Sequence, residues 1–296
     1  MRPGRTEDRA AFIRLLTREA VEGRRETVPG RWMERALAAI DWEACSRVAG
    51  DPGSELDGAV VVTNRAYAIG VITRVEVAVA SAGDVTLRHR LVEWGIAFSR
   101  AAGAAAAQIW VPHGRGDGLA DLGLVNVRPW WRMDRSLGAE PPAAEPVAGY
   151  ELRVGAEVAR GVWSDVHNRS FEDHWRYSIR GEEELMNGRD PALCLLAVDA
   201  SGRPAAITLG QIETYGRDTR AQPVGIVGSV GTLPAHRRRG IARWLVAEIL
   251  GRLHRSGARS SSLYVDGMNP TGAPALYRSF GFEVAFVTEV WEALFP

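Results

Sequence analysis

The chain has 296 residues, which is enough for one large domain or two ordinary ones. Hydrophobic residues make up 46% of it, so it can build a substantial core and is not globally disordered. Its Lys and Arg residues number 36 and its Asp and Glu residues also number 36, and this lack of a basic excess argues against a dedicated nucleic-acid-binding protein.

Two similar halves lie on either side of a stretch rich in Pro, Ala and Gly. That stretch, residues 138–149, is typical of a linker. Residues 90–111 align with residues 244–265, and each of these segments reads as an apolar helix, a Gly-Ala pair and a strand. The pattern predicts a duplicated α/β unit, with an N-terminal domain at 1–137 and a C-terminal domain at 150–296.

The elements of the second half follow from its hydrophobic periodicity and its turn residues. In chain order they are a helix at 158–171, strands at 193–200, 205–215 and 223–233, a long helix from about Gly240 to Ser256, a strand at 260–266, a short helix at 270–280 and a β-rich segment at 282–294. Antiparallel strands followed by a strand–helix–strand unit indicate an α/β (α+β) fold, with a mixed, mostly antiparallel sheet flanked by helices.

Three consecutive arginines, Arg237 to Arg239, precede Gly240 at the turn between the third of these strands and the long helix. The first N–H groups of a helix have no partner inside it, and with the positive end of the helix dipole they suit an anion. Gly240 and the small Ala242 let a ligand approach the backbone. The turn therefore predicts a pyrophosphate site; the alternatives are a charged surface loop or a patch for nucleic acid.

The second half resembles the GNAT N-acetyltransferase superfamily in two motifs. Arg237-x-x-Gly240-x-Ala242 is similar to the family's Arg/Gln-x-x-Gly-x-Gly/Ala loop. The family's later Asn…Leu-Tyr-x-x-x-Gly-Phe segment is matched, with one inserted residue, at Asn269, Leu276, Tyr277, Gly281 and Phe282. The resemblance covers about residues 150–296, and the two-unit layout is similar to tandem GNAT proteins of the mycothiol-synthase type.

The resemblance implies acetyl-CoA as co-substrate and assigns residues to it. The backbone of the fourth strand would pair with the pantetheine arm at Val230, Gly231 and Thr232. The pyrophosphate would be held by Arg237, Arg238, Arg239, Gly240, Ile241, Ala242 and Arg243. Asn269 would contact the coenzyme arm, and Tyr277 would protonate the leaving thiolate; the alternative for Tyr277 is a role in core packing.

The general base is left open. Mycothiol synthase and several other family members carry Glu on the fourth strand, but Ile226 stands at that position and cannot accept a proton. Glu213, on the preceding strand, is our candidate, and Asp173 and His174 are alternatives. The resemblance also implies that residues after the first helix shape the acceptor site, which would make Asp173, His174, Trp175 and Tyr177 substrate-binding residues; the alternative is a simple helix-ending turn.

The first half lacks these signals. The residues that correspond to the pyrophosphate turn are 83–88, where Asp84 would repel a phosphate, and Leu119 replaces Tyr277. We expect the first domain to keep the fold, to support the second domain and neither to catalyse nor to bind acetyl-CoA.

The sequence thus predicts a cytoplasmic acyltransferase that acetylates a small-molecule amine by direct attack on the thioester. The alternatives are a non-catalytic acyl-CoA-binding or regulatory protein and an acyltransferase for a protein or tRNA amine. No signal peptide, apolar membrane segment or metal-ligand spacing is present, and Cys45 and Cys194 are expected to be buried thiols. We expect no metal, membrane or nucleic-acid partner; monomer and homodimer both stay open.

Overall fold

The computed structural model describes residues 1–24, 37–67, 69–138, 143, 145–213 and 223–296. Part of the predicted linker, residues 139–142 and 144, lies outside the described residues. The last two residues of the strand predicted over 205–215 also lie outside them.

The helices and strands of the described residues are numbered here in chain order. The helices are α1 (Asp8–Val21), α2 (Trp42–Cys45), α3 (Val85–Ala101), α4 (Val162–Phe171), α5 (Glu182–Met186), α6 (Ile241–Arg255) and α7 (Ala273–Arg278). The strands are β1 (Arg2–Pro3), β2 (Ser46–Ala49), β3 (Gly58–Tyr67), β4 (Gly70–Val79), β5 (Ala106–Pro112), β6 (Val125–Ser136), β7 (Tyr150–Val154), β8 (Cys194–Asp199), β9 (Pro204–Glu213), β10 (Val224–Val227), β11 (Gly231–Thr232), β12 (Ser260–Asp266) and β13 (Glu283–Leu294).

The chain forms two compact units, neither of which is continuous in sequence. Among the described residues, the first unit contains 1–130 and 286–296, and the second contains 131–213 and 223–285. The predicted domains, 1–137 and 150–296, are continuous. The difference arises because strands β6 and β13 each contribute residues to both units.

The first unit is a sheet with helices on both faces. Its strands lie in the order β1-β2-β3-β4-β5, followed by the part of β13 that belongs to this unit. Successive residues of β3 point to opposite faces: Val60 and Val62 pack into a cluster with Leu91 of α3, whereas Val61 packs with Phe12 of α1. This alternation explains how one apolar strand serves two cores.

The second unit is built in the same way. Its strand order is β7-β8-β9-β10-β12, followed by the part of β6 that belongs to this unit. On β8, Leu195 packs in a cluster with Leu245 of α6, and Cys194 packs in a cluster with Trp163 of α4. Burial raises the pKa of the Cys194 thiol to about 11, so the thiol stays neutral. These mixed, mostly antiparallel sheets with flanking helices confirm the predicted fold class.

Three predicted elements of the second half differ in their bounds. The first helix begins at Val162 rather than at residue 158, after a 3-10 turn at Gly155–Glu157. The strand predicted over 223–233 is interrupted between β10 and β11. The short helix is confined to Ala273–Arg278, after Gly272 with a φ of +81°.

Within the described ranges, no helix has the length and apolar character needed to cross a membrane. The same residues contain no group of three or more His, Cys, Asp and Glu side chains that is placed to hold a metal ion.

Candidate functional site

The parallel strands β10 and β12 of the second unit separate part of the way along. They are paired over residues 224–227 and 260–263. Beyond that point β11 stays with β9, and in the described part of the chain no backbone hydrogen bond joins residues 228–232 to residues 264–266. Peptide groups therefore line this strand opening, where an extended ligand can complete their hydrogen bonds.

A β-bulge lies at the strand opening. Val227 pairs with Gly210 and Gly231 pairs with Ile207, so residues 228–230 face only two residues of β9. One extra residue in a strand bends it and leaves backbone groups without partners. The bulge therefore directs the end of this strand away from β12.

The bulge presents two free N–H groups. The N–H of Gly228 donates to the Leu209 carbonyl at 2.7 Å, but the N–H groups of Ser229 and Val230 find no acceptor among the described residues. A Cβ at position 228 would lie 2.5 Å from the Leu209 oxygen, so this close approach requires glycine. A pair of fixed N–H donors of this kind can stabilise negative charge on a reacting carbonyl oxygen.

The turn over residues 237–243 carries a longer row of free donors. The φ angle is +64° at Arg238 and +86° at Gly240, and α6 begins at the next residue. The N–H groups of residues 238–243 have no acceptor within the described ranges, and the first helical bond runs from Trp244 to Gly240 at 3.0 Å. Six free donors at the positive end of a helix dipole form a site for an anion.

Arg237, predicted to bind pyrophosphate, directs its guanidinium elsewhere. It makes two bonds to the Asp173 carboxylate, of 2.7 Å and 3.2 Å, and donates to the carbonyls of Ser170 and Thr232. This guanidinium is the first cause of a lowered pKa at Asp173. In the structure Arg237 thus ties the 237–243 turn to the segment that follows α4.

The other arginines of the turn are more open. Arg238 is exposed. Arg239 donates to the Tyr150 hydroxyl at 3.2 Å, and Arg243 donates to the Ser279 hydroxyl at 3.0 Å while lying over the Phe280 ring. Arg239 and Arg243 are exposed, so both can also add positive charge around a bound anion.

The predicted acceptor residues lie in the segment 172–177, directly after α4. Asp173 is held by Arg237, and Tyr177 donates to the side chain of Asn168 within the same region. Trp175 lies beside the Arg176 guanidinium. The structure therefore engages the polar groups of Asp173 and Tyr177 in fixing the segment, whereas His174 Nε2 lies 4.0 Å from the Asp173 carboxylate.

His174 is half-buried, and its ring meets the Phe171 ring edge-on at 4.7 Å. Burial lowers the pKa of His174, and the carboxylates of Asp173 and Asp266 offset that shift in part. The imidazole is therefore neutral at neutral pH and can accept a proton.

Tyr277 and Asn269 lie beyond the end of β12. The Tyr277 ring is buried against Phe282 in the core beneath α6, and its hydroxyl has no hydrogen-bond partner among the described residues. Burial raises the pKa of Tyr277 well above its usual value, so the hydroxyl stays protonated. Asn269 accepts hydrogen bonds from the N–H and hydroxyl of Thr271, which shapes the loop before α7.

Glu213, the candidate base, lies on the same sheet face as Ile226. Ile226 pairs with Gln211, and Glu213 pairs with Val224, one step farther from the strand opening. Glu213 accepts a hydrogen bond from the Gln211 amide. Its carboxylate therefore lies on the same face of the sheet as Ile226, but two residues farther from the bulge.

Sequence reasoning missed two residues on this face. Ser262 pairs with Ile226, so by strand alternation Tyr264 and Asp266 share that face. Asp266 is buried and accepts the N–H of Met268, and Tyr264 is partly exposed beside the strand opening. The alternation of polar and apolar residues in "SSSLYVD" could have indicated that Ser262, Tyr264 and Asp266 share one face of the strand. Which face of the sheet this is could not be predicted, because it depends on the register of β12 against β10.

The corresponding end of the first unit differs in two respects. Strand β4 pairs with β3 without a break from Gly58–Val79 to Tyr67–Gly70, so no bulge interrupts it. Helix α3 is capped by its own carboxylate, since Asp84 accepts the N–H of Leu87 at 2.9 Å. A carboxylate thus occupies the place where the second unit leaves donors free.

Comparison with known proteins matches residues 161–285 to the family of acetyltransferase (GNAT) domains. The mycothiol acetyltransferase of Kytococcus sedentarius is 32% identical over 199 residues, which cover 60% of this chain and 62% of that protein. The mycothiol acetyltransferase of Nocardia farcinica is 31% identical over 205 residues, covering 65% and 66%. The chain thus spans less than two thirds of the length of these relatives.

Two solved structures share the fold over nearly the whole chain. A GCN5-related N-acetyltransferase from Sphaerobacter thermophilus has a TM-score of 0.76 at 26% identity, with 99% of this chain and 94% of that one covered. A tandem GNAT protein from the clavulanic acid biosynthesis pathway has a TM-score of 0.71 at 16% identity, with 99% and 97% covered. Residues 161–285 therefore belong to the GNAT family of acetyltransferase domains, and the chain has the fold of a tandem GNAT protein.

Proposed function

We propose that the second unit transfers an acetyl group from acetyl-CoA to the amine of a small-molecule acceptor. The observation that carries this proposal is the row of six free N–H groups at residues 238–243, placed directly after the strand opening. A pyrophosphate at these donors would send the pantetheine arm back along residues 232, 231 and 230. The thioester would then reach the bulge at Gly228 and Ser229.

The residues at the strand opening match the needs of direct attack on a thioester. The acceptor nitrogen bonds to the carbonyl carbon, and the free N–H groups of Ser229 and Val230 face the oxygen that becomes negative. The carbon–sulfur bond then breaks, and the Tyr277 hydroxyl gives its proton to the thiolate. The Tyr277 hydroxyl is protonated at working pH, so its proton is present when the thiolate leaves.

The proton that leaves the amine needs an acceptor. Glu213 is our candidate, and its set-back position calls for a water molecule between the carboxylate and the amine. His174, neutral and half-buried near the strand opening, is the second candidate. The mycothiol acetyltransferases of Kytococcus sedentarius and Nocardia farcinica, both relatives of this chain, support a small molecule as the acceptor.

Calorimetry with acetyl-CoA tests the proposal through one position. Gly240→Asp puts a carboxylate beside the free donors, and Gly240→Asn is the neutral control of the same shape; both side chains tolerate a positive φ. We expect Gly240→Asp to weaken binding about tenfold or more relative to Gly240→Asn, because the carboxylate repels the pyrophosphate and competes for its donors.

Equal affinities in these two variants would contradict pyrophosphate binding at this turn. Release of free thiol from acetyl-CoA in the presence of a panel of amines then separates an enzyme from a protein that only binds acyl-CoA. Binding without thiol release for any amine would favour the non-catalytic alternative.

A further inference from the structure

A half-buried arginine lies against the bulge without a carboxylate partner. Arg189 follows α5, and its guanidinium donates from Nε to the Leu185 carbonyl at 2.6 Å and from Nη1 to the Gly210 carbonyl at 3.2 Å. Within the described residues no carboxylate comes close enough to form an ion pair with it. Both of its partners are therefore uncharged.

Arg189 is adjacent to the place where the thioester is proposed to lie. Its Nη1 would be 3.6 Å from a Cβ built on Gly228, the first residue of the bulge. Leu185, whose carbonyl accepts from Arg189, packs in a cluster with Leu209 of β9, and by alternation Glu213 lies on the same face of that strand as Leu209. The guanidinium is thus on the side of the sheet from which an acceptor carrying its amine to the thioester would approach.

A cation that is partly removed from water and bonded only to carbonyls leaves its charge uncompensated. Burial lowers the pKa of Arg189, and the Glu213 carboxylate counteracts that shift only in part. A carboxylate ligand would supply the missing charge through charge-assisted hydrogen bonds. The coenzyme does not supply it, because its phosphates belong at the distant 237–243 turn and the acetyl group is neutral.

Glu213 supplies the complementary charge on the same face. It lies close enough to Arg189 to influence it electrostatically, yet makes no ion pair with it. A carboxylate for an ammonium group and a guanidinium for an anion, both beside one reacting centre, fit a ligand that carries both charges.

We propose that Arg189 binds a carboxylate of the acceptor, so that the substrates of the second unit are amino acids or other compounds with an amine and a carboxylate close together. This inference rests on the proposed function. It assigns to Arg189 specificity for the acceptor rather than a step in the chemistry.

Matched pairs of acceptors test this assignment in the full-length protein. Each pair consists of an L-amino acid and the corresponding amino acid amide, and one further pair is β-alanine and its amide. The release of free thiol from acetyl-CoA is measured for each compound. The amine of an amide is less basic and more often neutral, so its intrinsic reactivity favours the amide. We expect kcat/KM for the acid to be about tenfold or more above that for the amide. Because intrinsic reactivity works in the opposite direction, such a preference would come from recognition of the carboxylate by the site.

Variants of Arg189 test whether this residue causes the preference for the acid over the amide. Arg189→Gln should lower the acid-to-amide ratio about tenfold or more, chiefly by raising KM for the acid. Arg189→Lys should restore part of the ratio, since it keeps the charge but loses the planar donor pair. Arg169→Gln, which breaks an exposed pair with Asp165 on α4, is the control and should keep the wild-type ratio.

A ratio near one in the wild-type protein would overturn the inference, and so would a ratio that Arg189→Gln leaves unchanged. Acetylation of no acid in the panel, in a protein that still binds acetyl-CoA, would overturn it as well. Loss of acetyl-CoA binding itself is a different result, because that would contradict the proposed function and not the role of Arg189 alone.

Discussion

Tyr277 joins two properties that a general acid needs. Its ring is fixed in the core beside Phe282, so the position of the hydroxyl is set by packing rather than by a hydrogen bond. The hydroxyl has no partner among the described residues, and burial keeps it protonated. A side chain with a purely structural role in packing would need the ring but not the oxygen, which makes the oxygen the feature to test.

Replacing Tyr277 with Phe removes only that oxygen. We expect kcat for acetyl transfer to fall by about a hundredfold, the usual order for loss of a general acid, while the Kd for acetyl-CoA is unchanged. Steady-state kinetics and calorimetry measure the two effects. Because the pKa of Tyr277 lies far above neutral, its protonation does not limit the wild-type rate as pH rises through the physiological range.

Tyr67→Phe in the first unit is the control for the tyrosine change and should keep the wild-type kcat. An unchanged kcat in Tyr277→Phe would show that water or another side chain protonates the thiolate. A lower thermal stability with an unchanged kcat would assign Tyr277 to the core alone.

At the scale of elements, an ion pair links the end of α4 to the start of α6. Asp173 and Arg237 are 64 positions apart in the sequence and form a two-point contact, and Arg237 also binds the carbonyl of Ser170 at the end of α4. The 172–177 segment and the 237–243 turn are therefore held together before any ligand binds. We expect Arg237 to fix the shape of the turn and the backbone to hold the phosphates.

Arg237→Gln, Asp173→Asn and the double variant distinguish this role from phosphate binding. If the guanidinium mainly holds Asp173, each single variant should lower the melting temperature, and the double variant should lower it no further than the more damaging single one. The Kd for acetyl-CoA should change less than about fivefold in all three, the upper range for an exposed pair.

If Arg237 instead contacts the phosphates, Arg237→Gln alone would weaken acetyl-CoA binding about tenfold or more, and Asp173→Asn would not. Arg238→Gln, in the same turn but exposed, gives the effect of removing one positive charge without breaking the ion pair.

The elements of the second unit could be predicted because their signals are local. Gly240 marks the start of α6, and the alternation in "SSSLYVD" marks β12. The bulge could not be placed, since it exists only through the register of its strand against β9. The two glycines in "VGSVG" were the one sequence signal for the bulge, because glycine inside a strand often marks such a site. Nor could the sequence show that Arg237 would meet Asp173, a contact that tertiary packing alone creates.

At the scale of the whole molecule, the two units share a strand–helix–strand arrangement but differ at the turn before the helix. The first unit keeps a parallel pairing of β4 with β5 and a helix between them, as the second does with β10, β12 and α6. Within the described residues, the second unit has a bulge at its strand opening, whereas β4 of the first unit pairs with β3 without a break and Leu119 stands in the position of Tyr277. Because Asp84 caps α3 with its own carboxylate, the first unit fills the place of an anion from within the chain.

This difference predicts one acetyl-CoA per chain. Calorimetric titration of the whole chain should give a stoichiometry near one, and Gly240→Asp should weaken all of the acetyl-CoA binding rather than half of it. Asp84→Asn keeps a capping side chain but removes its charge, and it should not create a second site, because β4 still lacks the bulge that opens its strand toward a ligand. Two equivalents in the wild-type protein, or a second set of sites that survives Gly240→Asp, would show that the first unit binds the coenzyme too.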